Sequence, residues 1–265
     1  MNVARIHGIE MAYDEVGSGS PVVLLHGYPF NRSMWHEQAE ALKSTCRIIT
    51  PDLRGHGDTT VTNDTVTMEE MARDVVALLD ELGIERVSLA GLSMGGYVTL
   101  ALYRRFPLRV RALILADTRP QADTAEARDT REDQARKILD KGMQSIADDF
   151  LKKVLTPATL SEKPDAVARV REMILKTDPH GAAAALRGMA VRHDQTEFLE
   201  AIFVPTLILV GREDQLTPPE DAELMHREIR GSRLEIIEGA AHLSNIERPA
   251  EFTRAVNSFL DALQP

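Results

Sequence analysis

Short apolar runs alternate along this chain with longer amphipathic stretches. Residues 22–25, 47–50, 87–90, 113–116, 206–210 and 234–237 are brief, rich in β-branched residues and bounded by turn formers. Runs of that kind read as strands buried on both faces of a parallel sheet. Thr67-Met68-Glu69-Glu70 is a capping box. It opens a helix with Met68, Met71, Ala72, Val75, Leu78, Leu79 and Leu82 on one face, which Gly83 should stop. A second helix should begin just after Ser93 and end before Pro107, and the last should run from Pro249 to Leu263. Residues 2–16, with His7-Gly8 at the turn, read as an antiparallel hairpin. Strand–helix alternation of this sort implies an α/β protein with a mostly parallel sheet and helices on both faces.

Residues 119–200 break the alternation. They contain no convincing strand, a higher density of charge than the rest of the chain, and apolar residues at helical spacing, among them Ile138, Met143, Ile146, Phe150, Leu151, Val154 and Leu155. This segment reads as a well-solvated helical cap inserted into a core formed by residues 1–118 and 201–265. Peripheral helices that never meet the active site are the alternative.

Composition narrows the picture. At 265 residues and 43% hydrophobic content the chain can bury a large core, which excludes a disordered tail or a disulfide miniprotein. A net charge of −10 disfavours nucleic acid or anionic membrane as a partner. The one cysteine, Cys46, cannot form an intrachain disulfide. With no apolar leader and no apolar run of membrane-spanning length, the expectation is a cytoplasmic protein.

Gly91-Leu92-Ser93-Met94-Gly95 lies between a strand and a helix, the context of a nucleophile elbow. A serine hydroxyl needs a base. Of eight histidines, His242 follows a strand in Glu238-Gly239-Ala240-Ala241-His242, at the carboxyl edge where open α/β sheets place ligands. His26 belongs beside the elbow, His56 ties down the loop Arg54-Gly55-His56-Gly57-Asp58, His7 sits in the hairpin turn, and the others fall in helical or cap-like sequence. The base needs an acid to set its tautomer. Asp214, after the strand at 206–210, gives the order Ser, acid, His expected of this elbow, with Glu213 and Asp117 as competitors. Oxyanion donors are expected from the backbone N–H of Met94 and of Tyr28, since Pro29 has none. Phe30, Met94, Phe150, Met173 and Met189 are the expected apolar walls, with ordinary core packing as the competing explanation. No His, Cys or carboxylate cluster has metal-ligand spacing.

These motifs resemble the α/β-hydrolase superfamily, in the branch of 3-oxoadipate enol-lactonases, small carboxylesterases and cofactor-free haloperoxidases. The resemblance rests on His26-Gly27, Asp52-Leu53-Arg54-Gly55-His56-Gly57, Gly91 to Gly96, Gly211 to Asp214, His242 and Glu247-Arg248-Pro249. It implies an eight-stranded sheet, a Ser93–Asp214–His242 triad and no cofactor. The expected activity is hydrolysis of a small carboxylic ester through an acyl-enzyme. Lactone hydrolysis, carbon–carbon bond hydrolysis and perhydrolysis are rivals on the same triad, and a noncatalytic ligand-binding member is a rival of another class. Serine at position 93 disfavours relatives that use an aspartate nucleophile.

Overall fold

The computed structural model describes residues 1–62 and 65–263. In chain order the elements are β1 (Asn2–Ile6), β2 (Ile9–Val16), β3 (Ser20–Leu25), α1 (His36–Leu42), β4 (Cys46–Pro51), α2 (Met68–Glu81), β5 (Val87–Leu92), α3 (Met94–Arg105) and β6 (Val110–Ala116). Then come α4 (Ala125–Lys141), α5 (Gln144–Val154), α6 (Pro157–Glu162), α7 (Pro164–Lys176) and α8 (Pro179–Ala190). The chain closes with β7 (Thr206–Gly211), α9 (Pro219–Glu228), β8 (Arg233–Ile237), α10 (Ser244–Glu247) and α11 (Pro249–Asp261).

The eight strands form one sheet in the order β1-β2-β4-β3-β5-β6-β7-β8. β1 and β2 form the expected antiparallel hairpin, β2 also runs antiparallel to β4, and every other pairing is parallel. The central strands are those with unbroken apolar runs. Val22, Val23, Leu25, Leu89, Leu113, Ile114, Leu115 and Leu207 are fully buried, as strands covered on both faces require. Each such side chain contributes about 1.5–3 kcal/mol by leaving water.

The helices follow their sequence signals closely. The Thr67 hydroxyl accepts from the N–H of Glu70 at 3.1 Å, capping α2, and Gly83 takes a positive φ of 64° just past its end. The α2 face of Met68, Met71, Ala72, Val75, Leu78 and Leu79 is buried against the sheet side of the core. α11 starts at Pro249 as expected and buries Phe252, Val256, Phe259 and Leu260.

Between β6 and β7 the chain is helical, with α4 packed along α8 and α5 along α7. These helices meet loops at the carboxyl ends of the strands. Thr177 Oγ1 donates to the Pro29 carbonyl at 2.6 Å, the Leu243 N–H donates to the Val154 carbonyl at 3.2 Å, and the Val66 N–H donates to the Ala184 carbonyl at 3.1 Å. Part of the charge of this stretch is buried. Asp123 is buried, with Arg131 and Arg192 as ion-pair partners, and Arg192 also lies over the Tyr97 ring with 4.2 Å to its centroid. Composition reports how much charge a segment carries; pairing decides how much of it can leave water. Among the described residues no helix is long and apolar enough to cross a membrane.

Candidate active site

Ser93 stands on the tight turn between β5 and α3 with φ 54° and ψ −114°, a strained conformation for a residue with a side chain. Two glycines make the turn feasible. A Cβ on Gly91 would lie 2.2 Å from the Gly95 carbonyl oxygen, and one on Gly95 would lie 2.2 Å from that of Leu25. The helix therefore starts close against the sheet, with Ser93 at its N-cap and partly exposed.

Three elements converge on this serine. His242 lies between β8 and α10, and its Nε2 is 2.8 Å from Ser93 Oγ. Asp214 follows β7, and its Oδ2 is 2.7 Å from His242 Nδ1. The Asp214 carboxylate is fully engaged. Oδ1 accepts from the N–H groups of Leu216 and Thr217 at 2.8 and 3.1 Å, and Oδ2 accepts from Thr217 Oγ1 at 2.7 Å. Asp214 and His242 are each 3% exposed. Glu213 is exposed. Asp117 is buried, but its oxygens go to the Gly211 N–H and to Ser244 Oγ.

Electrostatics separates the histidines. Burial disfavours the His242 imidazolium, yet the charge and hydrogen bond of Asp214, with the charge of Asp117, outweigh it and hold His242 above its ordinary value. Burial also opposes the Asp214 carboxylate, but the charge of His242 and the hydrogen bonds of His242 and Thr217 keep it below the usual carboxylate range. His26 and His56 go the other way. Burial drives His26 down to about 4 and His56, with His26 beside it, down to about 3. His26 Nε2 accepts from the Leu53 N–H at 2.9 Å, and its Nδ1 meets the Gly27 carbonyl at 2.9 Å. It links the loop after β3 to the loop after β4, while His56 Nδ1 meets the Arg54 carbonyl at 3.1 Å.

Met94 is the first helical residue of α3, so its N–H is one of those an α-helix leaves without an internal partner. The loop after β3 lies against the elbow: a Cβ on Gly27 would sit 3.4 Å from Ser93 Cβ. Tyr28 is the next residue, joined to Pro29 by a cis peptide bond. Its ring stands edge-on to Phe150 of α5 with centroids 6.1 Å apart, and Phe30 lies 6.1 Å from the same Phe150 ring. The Tyr28 hydroxyl is buried and has no hydrogen-bond partner among the described residues, and the charge of Arg131 acts on it.

The structure brings together Ser93, Asp214, His242 and Met94, and groups Tyr28 and Phe30 with Phe150. Met189, on α8, lies 3.6 Å from the Arg131 guanidinium. Met173, on α7, lines a cavity of about 600 Å³ with Asn31, Arg32, Met34, Arg169 and Asn245, and neither Ser93 nor His242 borders that cavity. Three contributors escaped the sequence argument. Thr217 binds Asp214 and lies 3.3 Å from His242 Nδ1. Glu247 accepts from the Ala241 N–H at 2.6 Å and from the Thr156 N–H at 2.8 Å, tying the His242 loop to the helical segment. Arg131 is the third. A signal existed only for Glu247, which lies in the Glu-Arg-Pro motif ahead of α11. Among the described residues no three His, Cys, Asp or Glu side chains are grouped as a metal site.

Residues 22–255 match the model of the alpha/beta hydrolase family. The 3-oxoadipate enol-lactonase 2 of Acinetobacter baylyi is 30% identical over 230 residues, 87% of this chain and 84% of that protein. Among solved structures, a thermophilic esterase from Thermogutta terrifontis with malate bound superposes with a TM-score of 0.96 at 40% identity, over 99% of this chain and 97% of the other. The enol-lactonase of Burkholderia xenovorans superposes with a TM-score of 0.92 at 30% identity, over 98% of this chain and all of its own.

Proposed function

Because the chain belongs to the alpha/beta hydrolase family, we propose that it is a serine hydrolase cleaving carboxylic esters of short to medium acyl chain. The observation that carries this reading is the continuous hydrogen-bonded line Ser93 Oγ–His242–Asp214, at 2.8 and 2.7 Å. Ser93 Oγ attacks the ester carbonyl while His242 Nε2 takes its proton, and Asp214 stabilises the imidazolium. The N–H groups of Met94 and Tyr28 receive the developing oxyanion. His242 returns the proton to the departing alcohol, which leaves an acyl-Ser93. Water then attacks with His242 again as base, releasing the acid and restoring the serine. On this reading residues 119–200 form a cap over a core of residues 1–118 and 201–265. The protein works in the cytoplasm on a small molecule, without a cofactor.

The enol-lactonase relatives support lactones as a second substrate class, since a lactone opens by the same steps with its alcohol still tethered to the acyl group. A fluorophosphonate probe tests the nucleophile, and a panel of p-nitrophenyl esters run beside lactones tests the class. Labelling at Ser93 with turnover of short esters is expected. No labelling would favour a noncatalytic ligand-binding role.

Activity is expected to rise with pH, because His242 accepts the serine proton only when neutral. An unperturbed imidazole would place the rise at about 6 to 7. Asp214 moves His242 upward, so the midpoint of kcat/KM should lie above 6.5. A midpoint well below that value would show that His242 is not the group titrating.

Chain-length preference should follow the aromatic wall of Tyr28, Phe30 and Phe150. An apolar pocket of limited depth favours acyl groups of about two to eight carbons, each methylene that fits adding about 0.8 kcal/mol. Phe150→Ala should shift the optimum to longer esters while slowing short ones little. An optimum on long-chain emulsified fat in the unaltered protein would contradict this.

A further inference from the structure

The two residues that follow β6 touch all three loops of the candidate triad. Thr118 Oγ1 donates to the Ser93 carbonyl at 2.9 Å, alongside the bond from the Ser93 N–H to the Ala116 carbonyl at 3.0 Å. Asp117 Oδ1 accepts from the N–H of Gly211, three residues ahead of Asp214, at 2.8 Å. Its Oδ2 lies 2.5 Å from Ser244 Oγ, two residues past His242. The Asp117 N–H donates to the Leu209 carbonyl at 2.8 Å, which anchors the turn itself on β7. Asp117 is completely buried and holds φ at 43°, a left-handed conformation that costs about 1–3 kcal/mol in a residue other than glycine. Strain and a buried carboxyl at one position are two costs that packing alone does not call for.

We propose that Asp117 and Thr118 are positioning residues of this site. They hold the loops of Ser93, Asp214 and His242 in register, with Asp117 acting on His242 through Ser244. Sheet order is what permits this. β6 lies between β5, which leads to Ser93, and β7, which leads to Asp214, and β8 is next beyond. A side chain at the end of β6 can therefore reach neighbours on both flanks. The groups whose charges meet here are Asp214 from the loop after β7, His242 from the loop after β8, and Arg119, which acts on His242. Burial and then the charge of Asp214 push the Asp117 carboxyl up to about 8. Ser244 Oγ donates to its Oδ2 and the Gly211 N–H to its Oδ1, and both bonds pull in the opposite direction. As it ionises, its negative charge favours the His242 imidazolium.

This inference rests on the triad reading, and five substitutions assayed on a short p-nitrophenyl ester test the two separately. Asp117→Ala strands the Gly211 N–H and Ser244 Oγ; it should lower kcat roughly tenfold to a hundredfold, the scale of a loop displaced by about an ångström, with KM little changed. Asp117→Asn can still accept from Gly211 and donate to Ser244, so it should recover most of kcat. Ser244→Ala should add little to Asp117→Ala, since both remove one contact. Thr118→Val, which keeps shape and loses the bond to Ser93, should also lower kcat. If Asp117→Ala does not fold, Asp117→Asn and Thr118→Val decide. A kcat in Asp117→Asn lowered about a hundredfold, or wild-type kcat in Thr118→Val, overturns the proposal. If Ser93→Ala is inactive at the same time, the triad reading survives that failure. If Ser93→Ala keeps full activity, the triad reading itself fails.

Discussion

Ser93→Ala and His242→Ala are each expected to reduce kcat by about a millionfold, and the double variant is expected to be no worse than either alone. The geometry gives the reason. Ser93 Oγ and His242 Nε2 share one hydrogen bond of 2.8 Å, so the nucleophile and its base are a single device. Once the hydroxyl is absent there is nothing for the base to activate, and once the base is absent the hydroxyl keeps its proton. Rate measurements on the two single variants and the double variant, with circular dichroism to show that each is folded, check this. A double variant that is slower by the product of the single effects would mean that the two residues act independently.

Asp214→Asn should lower kcat by about ten-thousandfold without unfolding the protein. The amide is nearly isosteric and its oxygen can still accept from Leu216 and Thr217. Its NH2 group facing His242 Nδ1 would favour the tautomer that carries the proton on Nε2, where it cannot accept from Ser93. Asp117→Asn should do far less, because Asp117 spends its oxygens on Gly211 and Ser244. The two asparagine variants measured side by side decide the matter. The opposite ranking would transfer the acid's role to Asp117.

That comparison also marks a limit of sequence reasoning. Asp117 and Asp214 each follow a strand, and both fit the order Ser, acid, His. Hydrogen bonds separate them, and those depend on the register between β6, β7 and β8. The methionine walls show a similar limit. Their apolar character makes Met173 and Met189 expected walls, and both are buried. It does not say which interior space each one faces, and Met173 borders a cavity that Ser93 does not line. The Asp123, Arg131 and Arg192 cluster was hidden for another reason. Charged residues read as solvated unless their partners are known, and these partners are up to 69 residues apart.

The sequence by itself determined the alternation of strands and helices, the hairpin, the capped start of α2 and the candidate residues Ser93, Asp214 and His242. Those features are written locally: in continuous apolar runs, in a threonine three residues ahead of a glutamate, and in short motifs directly after strands. Only the tertiary structure decided strand order, which carboxylate meets His242, and how the segment between β6 and β7 sits against the strand ends. Those outcomes arise from contacts between residues far apart in the chain. Ser93 and His242 are 149 positions apart, and their 2.8 Å approach depends on strand register and on loops braced by Asp117, Thr217 and Glu247. Local patterns carry the identity of each group, whereas a reacting distance is a property of the packed whole.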